Sequence, residues 1–448
     1  MATTKRGLER ALSSWQQAMI AMGGTIGVGL FLASGTTIGL AGPAVVLSYA
    51  LAAPLPISVG LALAEMAPAH AEPGAFGAYA EAYIGKWASF ATRLSYWFAE
   101  IFAVGAMASA IGVYFEFWFD EIPSYIFIGA AALLAVWVNA LNVGRFASLE
   151  SALSSIKVLA IVAFVVFGTV LVSQSPTGIG NLVSDGGFIP HGPRGIWLSL
   201  TLVVTSFLGI EAVAVTAGEA KQPERTVPRA LFGVVGSLVL LYVTAMLVIV
   251  AMTPWRSIAE TNGTLSGSPF VIVFRQAGIP YAGSLMNFVV ISAAFTALVS
   301  HLYLSSRMLF SLARSGYAPA PFGTVDRRGI PLRALGGSTL GMCLAVIFAL
   351  FGRQVFLPMY GTGVVALLSI WMLVLVCHVR YRSRRGMKFP VLSVLGVGLV
   401  VAALSATPWV EGLEWTLPIF VGWIVLITVV YHQRYKTLSF DLGENRDA

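Results

Sequence analysis

The chain has 448 residues, of which 57% are hydrophobic and only 10% charged, with a formal net charge of +7. Soluble domains carry about 25% charged residues, so a water-covered globule is excluded. Continuous apolar runs of about 20 residues, the length that crosses a bilayer as helix, recur throughout, and their continuity excludes the alternating strands of a membrane barrel.

The first run, near 15–42, follows Lys5, Arg6 and Arg10 and has no small-residue cleavage site. It is read as a retained helix rather than a signal peptide. Further spans are predicted near 44–66, 88–118, 123–143, 150–173, 194–217, 230–252, 281–312, 334–352, 357–379, 389–407 and 415–432, about twelve in all. An even number puts both termini on one side. With the N-terminus inside, the inner segments collect Lys5, Arg6, Arg10, Lys86, Lys221, Arg225, Arg229, Arg314 and the basic run Arg380 to Lys388. The outer loops hold Arg194, Arg256, Arg275 and Arg353. That asymmetry is the positive-inside pattern; it places both termini in the cytoplasm and accounts for the basic charge without a nucleic-acid partner. Cys343 and Cys377 fall within spans at no ligand or disulfide spacing and read as packing residues.

Segment 174–193, with Gly178, Gly180, Gly186, Gly187 and Pro193, reads as a flexible hinge between two halves. The longest outer loop, near 253–280, contains Ser268-Pro269-Phe270-Val271, a start that would cap a short surface helix.

Each half opens with an interrupted span. In the first, Met22-Gly23-Gly24-Thr25-Ile26-Gly27-Val28-Gly29-Leu30-Phe31 places four glycines in mid-span, each costing about 1 kcal/mol relative to Ala in a helix. If the helix unwinds there, the N–H groups of Gly27, Val28 and Gly29 head an outer half-helix and suit a carboxylate. Freed carbonyls near Ile26 suit an ammonium, so the two ends complement a zwitterion. Close packing through small residues is the alternative. The second half repeats the feature at Ser206-Phe207-Leu208-Gly209-Ile210-Glu211, and paired interruptions point to an inverted-repeat transporter site.

Four segments together resemble the amino acid permeases of the amino acid/polyamine/organocation superfamily, in particular their bacterial proton-coupled branch. They are Gly23 to Phe31; Glu65-Met66 with Pro73-Gly74-Ala75-Phe76; Ser206 to Glu211 running into Ala217-Gly218-Glu219-Ala220-Lys221; and Tyr303-Leu304-Ser305-Ser306-Arg307-Met308-Leu309-Phe310. The resemblance implies an all-α membrane fold of the LeuT type. It divides the chain into a cytoplasmic tail 1–14, a first repeat of five helices 15–173, an inverted second repeat 194–379, two further helices 389–432 and a cytoplasmic tail 433–448. It also implies an α-carboxylate on the amides of Gly27, Val28 and Gly29, and an α-amine on carbonyls near Thr25 and Ile26 and those of Thr205 and Leu208. Ser206 and Gly209 belong to the second break, and Phe207 and Ile210 would face or flank the side-chain pocket.

Lys157, in Ser154-Ser155-Ile156-Lys157, is the intramembrane charge of most interest, because a desolvated lysine can exchange a proton near neutrality. Snorkelling to the interface is its alternative, since it lies only about two turns inside the span drawn from 150. In the resembled family a lysine here takes the place of a sodium ion between spans one, five and eight, which favours proton coupling. Glu211 adjoins the second break as a proton group or as an acceptor holding unwound backbone. Glu65 reads as an interfacial anchor. A glutamate common in the branch is matched by Met107, while Glu100 lies seven residues earlier on the same face as its possible substitute in proton coupling. His301 replaces a small residue and can titrate near neutrality, or simply hydrogen-bond between helices.

The resulting expectation is a secondary transporter importing an α-amino acid, by proton symport and alternating access. No metal or cofactor is called for, and the partners are substrate, proton and bilayer. An exchanger or facilitator is the alternative, then a transporter-like nutrient sensor. Neither a catalytic constellation nor a repeated filter loop argues for an enzyme or a channel. Ser109, Phe207, Phe295 and Tyr360, as pocket candidates, point to a neutral substrate. Nothing in the sequence fixes the oligomeric state.

Overall fold

Ser13 opens the first helix with a capping box: its Oγ accepts from the Gln16 N–H at 3.3 Å, and Gln16 Oε1 accepts from the Ser13 N–H at 3.0 Å. From there the computed structural model is helical almost throughout, and it describes residues 12–67, 75–141, 143–175, 179–260, 268–276, 281–351 and 356–434. Lys5, Arg6, Arg10, Pro73, Gly74, Arg353 and Lys436 lie outside the described residues.

The first predicted span is three pieces, α1 (Ser14–Thr25), α2 (Val28–Phe31) and α3 (Ala33–Ala41). Gly42, at φ +63°, turns the chain before Pro43; α4 (Val45–Ala52) and α5 (Pro54–Met66) follow. Next come α6 (Ala75–Tyr83), α7 (Lys86–Phe115), α8 (Ser124–Asn139) and α9 (Val143–Gln174). The second half opens with the broken pair α10 (Gly192–Thr205) and α11 (Ala212–Val215), then α12 (Pro223–Met252), α13 (Trp255–Glu260), α14 (Pro269–Gln276) and α15 (Ala282–Arg314). The chain ends with α16 (Leu332–Ser338), α17 (Leu340–Leu350), α18 (Phe356–Arg384), α19 (Val391–Ala406) and α20 (Thr416–Arg434). Nine helical stretches among the described residues are long and apolar enough to cross a membrane.

The burial pattern identifies the solvent. On α9 the exposed side chains are Ile156, Leu159, Val162, Val166 and Phe167, whereas Glu150, Ser151, Ser154 and Lys157 are buried. An amphipathic helix with its apolar face outward is stable only where the surroundings are hydrocarbon. Inside the bundle α7 packs along α15, α17 and α18, and α1 is held among α9, α12 and α15. The centre of the bundle is therefore lined by the polar stripe of α9 and the break in α1.

One end of the bundle is tied shut. The Leu12 N–H donates to Glu219 O at 2.9 Å and the Lys221 N–H to Leu12 O at 3.1 Å, forming a parallel bridge. Beneath it Glu219 accepts from Arg307 Nε at 3.2 Å and from Tyr303 Oη at 2.6 Å, and the guanidinium carbon lies 3.4 Å from the Tyr303 ring centroid. Arg93 reaches Ser311 at the same end. Glu65 anchors α5 to α18 through Arg382, at 2.9 Å, and His378, at 2.9 Å.

Several expectations are corrected. The helix at 269–276 is not a surface helix: Phe270 and Val271 are buried, and Phe270 packs on Phe31 and Phe164 at 4.8 and 4.7 Å. Its continuous apolar run from Phe270 to Phe274 suits burial between helices. Ser268 precedes it, yet its hydroxyl has no hydrogen-bond partner among the described residues. The described part of 174–193 is fastened down, with Asn181 Nδ2 on Ala251 O at 2.8 Å and His191 Nδ1 paired with Leu40 O at 2.8 Å. Cys377 is packed, but Cys343 is exposed on α17. Finally, α9 begins at Val143 rather than 150, so Lys157 lies about four turns in, beyond the reach of snorkelling.

Removing one partner of a buried ion pair costs about 3–5 kcal/mol. Glu219→Ala should therefore lower the unfolding temperature of the detergent-purified protein markedly, and adding Arg307→Met should recover part of the loss. Differential scanning fluorimetry measures both.

Candidate substrate site

The first break is short. Helix α1 runs through Gly23 and Gly24 to Thr25 and stops at Ile26, with Gly27 as the N-cap of α2. Gly27 is extended, at φ −140°, so its own torsion does not demand glycine. Space does: a Cβ there would lie 2.9 Å from that of Ala297, and one on Gly29 would lie 2.5 Å from Tyr360 Oη. At Gly23 an added Cβ would run into the Glu150 carboxylate. The glycine run thus serves both readings: close packing requires glycine at Gly23, Gly27 and Gly29, and the helix is interrupted at Ile26 and Gly27.

The second break extends from Ser206 to Glu211. Helix α10 tightens into i→i+3 bonds, from the N–H groups of Ser206, Phe207 and Leu208 to Val203, Val204 and Thr205 carbonyls at 3.1 Å each. Gly209 then takes φ +113°, a torsion open to glycine and costly for other residues. A Cβ on Gly209 would meet Thr25 Oγ1 at 2.7 Å and Thr25 N at 2.8 Å. The two interruptions therefore touch, glycine against helix end.

Charged and phenolic groups hold the exposed backbone. Lys157, 0% exposed, donates from Nζ to Gly23 O at 2.7 Å and Ile26 O at 3.1 Å. A cation at a helix C-terminus in a partly buried setting contributes up to about 2 kcal/mol. The Thr25 carbonyl accepts from the Gly27 N–H at 3.0 Å and from Tyr242 Oη at 3.4 Å. Across the cavity Glu211 accepts from the Gly209 N–H at 2.9 Å and from Trp371 Nε1 at 3.2 Å, which makes it a brace for the turn. Ser206 Oγ pairs with Tyr49 Oη at 3.0 Å, and Tyr360 Oη donates to Thr205 Oγ1 at 2.6 Å.

A small cavity of about 20 Å³ lies at the junction, lined by Gly24, Thr25, Gly27, Gly29, Ala103, Met107, Thr205, Leu208, His301, Tyr360, Gly363, Val364 and Leu367. Its wall is mostly apolar, with backbone and hydroxyl groups at the breaks. A second space of about 630 Å³, bounded by Leu32, Thr36, Ser109, Phe356 and Glu411 among others, lies at the end away from Leu12. Phe356 and Tyr360 stack at 5.3 Å, one on the wall of each space.

The predicted site residues distribute unevenly around this cavity. Thr25, Gly27, Gly29, Thr205, Leu208 and Tyr360 line it. Val28 and Gly29 are the first two residues of α2, whose N–H groups have no acceptor within the helix. The Gly27 N–H, by contrast, is engaged by Thr25 O, the Ile26 carbonyl by Lys157, and the Thr205 carbonyl by Leu208. Phe207 does not face the cavity; it is buried against Tyr49 and Tyr242, at 6.2 and 5.2 Å between centroids. Ile210 is buried away from the lining, and Ser109 belongs to the larger space, while Phe295 lines neither.

Sequence reasoning missed Glu150. It is buried on the same face of α9 as Lys157, about two turns before it, and its Oε1 accepts from Ser300 at 2.8 Å and Ser154 at 3.3 Å. A carboxylate seven residues before an intramembrane lysine on one helix was the available signal. Glu100 is likewise buried and pairs with His301 Nδ1 at 2.8 Å.

A family profile described as amino acid permease matches residues 16–431. The chain belongs to the amino acid permease family. Among this permease's relatives, the uncharacterized amino acid permease YtnA of Bacillus subtilis is 34% identical over 86% of this chain and 83% of its own. The aromatic amino acid transport protein AroP of Escherichia coli K12 is 32% identical, covering 96% of both chains. The crystal structure of MhsT in complex with L-phenylalanine superposes with a TM-score of 0.64 at 16% identity, covering 90% of this chain and 99% of that one. That likeness shows the fold, a LeuT-type arrangement with discontinuous first and sixth helices. The permease is a multi-pass membrane protein of amino acid transport, and its relatives are transporters rather than enzymes.

Gly209→Ala forces both a disfavoured torsion and contact with Thr25, a strain of about 1–3 kcal/mol. Equilibrium binding of substrate should weaken about tenfold or more, with the variant still monodisperse on size exclusion. Unchanged binding would show that the turn does not shape the site.

Proposed function

We propose that this permease imports a neutral α-amino acid across the cytoplasmic membrane by proton symport, with both termini in the cytoplasm. The observation that carries the reading is Lys157, whose ammonium bridges the Gly23 and Ile26 carbonyls at the end of α1. A removable charge at that point joins proton occupancy to the shape of the substrate site. With Lys157 protonated the break is held for binding; once the proton leaves, α1 loses its cationic cap and the site loosens.

The substrate carboxylate would take the free N–H groups of Val28 and Gly29, at the positive end of α2. Its ammonium would face the carbonyl end of α1 around Thr25. Ala103, Met107, Leu208, Val364 and Leu367 offer an apolar side-chain wall. The name of AroP and the phenylalanine bound by MhsT agree with an apolar or aromatic side chain, and no acidic residue among the described residues of the cavity lining asks for a cationic one.

Residues 15–173 and 194–379 would act as inverted repeats, with 389–432 added outside them and the tails 1–14 and 433–448 in the cytoplasm. Of Glu211 and Glu100, the proposed proton partners of Lys157, Glu211 is better placed as the brace of the second break. The tied end at Leu12 and the large space at the other end support an outward-facing state in this orientation.

Proteoliposomes with an imposed pH gradient and no sodium should accumulate labelled phenylalanine, tyrosine or tryptophan, with a panel of unlabelled amino acids as competitors. Lys157→Met should abolish gradient-driven accumulation. Uptake that ignores the pH gradient and requires amino acid on the far side would replace symport with exchange.

A further inference from the structure

The carbonyls of the last turn of α1 are claimed one by one. Met22 O accepts from Ile26 N–H at 2.8 Å, Thr25 O from Gly27 N–H, and Gly23 O and Ile26 O from Lys157. Gly24 O remains, and the group that approaches the Gly24 backbone is His301. A Cβ on Gly24 would lie 4.0 Å from His301 Nε2. Since the Gly24 N–H lies inside the helical ladder of α1, the group left for the imidazole is its carbonyl.

His301 is thus set between two acceptors. Nδ1 faces Glu100 Oε2 at 2.8 Å and Nε2 faces Gly24. A neutral imidazole carries one N–H, and the imidazolium carries two. With one proton on the ring, Nδ1–H serves Glu100 and Nε2 turns a lone pair to the carbonyl end of α1. With two, Nε2–H caps Gly24 O as well.

We propose that the His301–Glu100 pair is a second proton site, wired to the α1 break separately from Lys157, and that its extra proton competes with the substrate ammonium for the carbonyl end of α1. This rests on the proton-coupled reading above. A bare Gly24 carbonyl beside an imidazole lone pair makes two acceptors on the cavity wall for an ammonium. The protonated ring removes one acceptor and adds a positive charge beside the other. His301 is a positioning residue in this scheme, acting through α1, and the pair gives substrate binding an acid limit where Lys157 gives it an alkaline one.

The other ionisable groups facing His301 come from three elements. Glu211 lies at the second break and Glu150 on α9, both within electrostatic range, and Tyr96 on α7 lies beside Glu100. Glu100 Oε1 has no hydrogen-bond partner among the described residues.

The test is equilibrium binding of L-phenylalanine to the purified full chain between about pH 5 and 9, a range that brackets imidazole titration. The expected profile is bell-shaped, with affinity falling about tenfold per pH unit below the acid midpoint, the slope for one linked proton. His301→Gln keeps an amide to meet Glu100 but cannot titrate. It should erase the acid limb and leave the alkaline limb, while Lys157→Met does the reverse. Glu100→Gln, with the ring intact, should move the acid limb to lower pH. An acid limb unchanged in both His301→Gln and Glu100→Gln overturns the proposal even if Lys157 behaves as described. Loss of only the alkaline limb's dependence on Lys157 defeats the symport reading and leaves this one standing. No saturable binding at any pH removes both.

Discussion

A helix broken inside a bilayer exposes N–H and C=O groups that hydrocarbon cannot satisfy, and the centre of this molecule is arranged around that constraint. Several of the freed groups find a partner of the sign their helix end requires. The carbonyl end of α1 is met by an ammonium and a phenol, and the N–H of the second break by a carboxylate. The intramembrane charges would be costly on an intact helix. Here they replace missing backbone hydrogen bonds, so break and charge are explained together.

The same constraint governs size. Two interrupted helices can share partners only if their backbones approach closely, and Gly209 rests directly on Thr25. A change of torsion in either break is then felt by the other without any intervening side chain. Glu150 and Ser154 crowd α1 at Gly23 and Ser300 approaches it at Gly24, so the first break is enclosed by polar groups on α9 and α15 as well as by its counterpart.

The helical membrane architecture was legible because apolar runs and glycine interruptions are local signals, and the positions of both breaks followed from them to within a few residues. What could not be read depends on contacts between residues far apart in sequence. Phe207 turns toward Tyr49 and Tyr242 because the i→i+3 tightening of α10 rotates it away from the cavity. Leu208 takes its place on the wall. Glu150 was hidden because the fifth span was drawn from that residue, where a carboxylate reads as a helix end. The helix beginning seven residues earlier puts it inside the bundle. Arg307 and Glu219 resemble interfacial charges until folding brings them together across 88 residues.

The two mouths of the molecule are built from different materials. At one, Leu12 is joined to Glu219 and Lys221 through main-chain hydrogen bonds, with the Glu219–Arg307 ion pair beneath them. At the other, the wide space is bounded by side chains such as Phe356, Leu357 and Glu411, and every substitution there alters its shape. Evolutionary drift therefore acts on the two gates unequally. The entrance can be remodelled for new solutes residue by residue, while the opposite closure is inherited with the path of the chain.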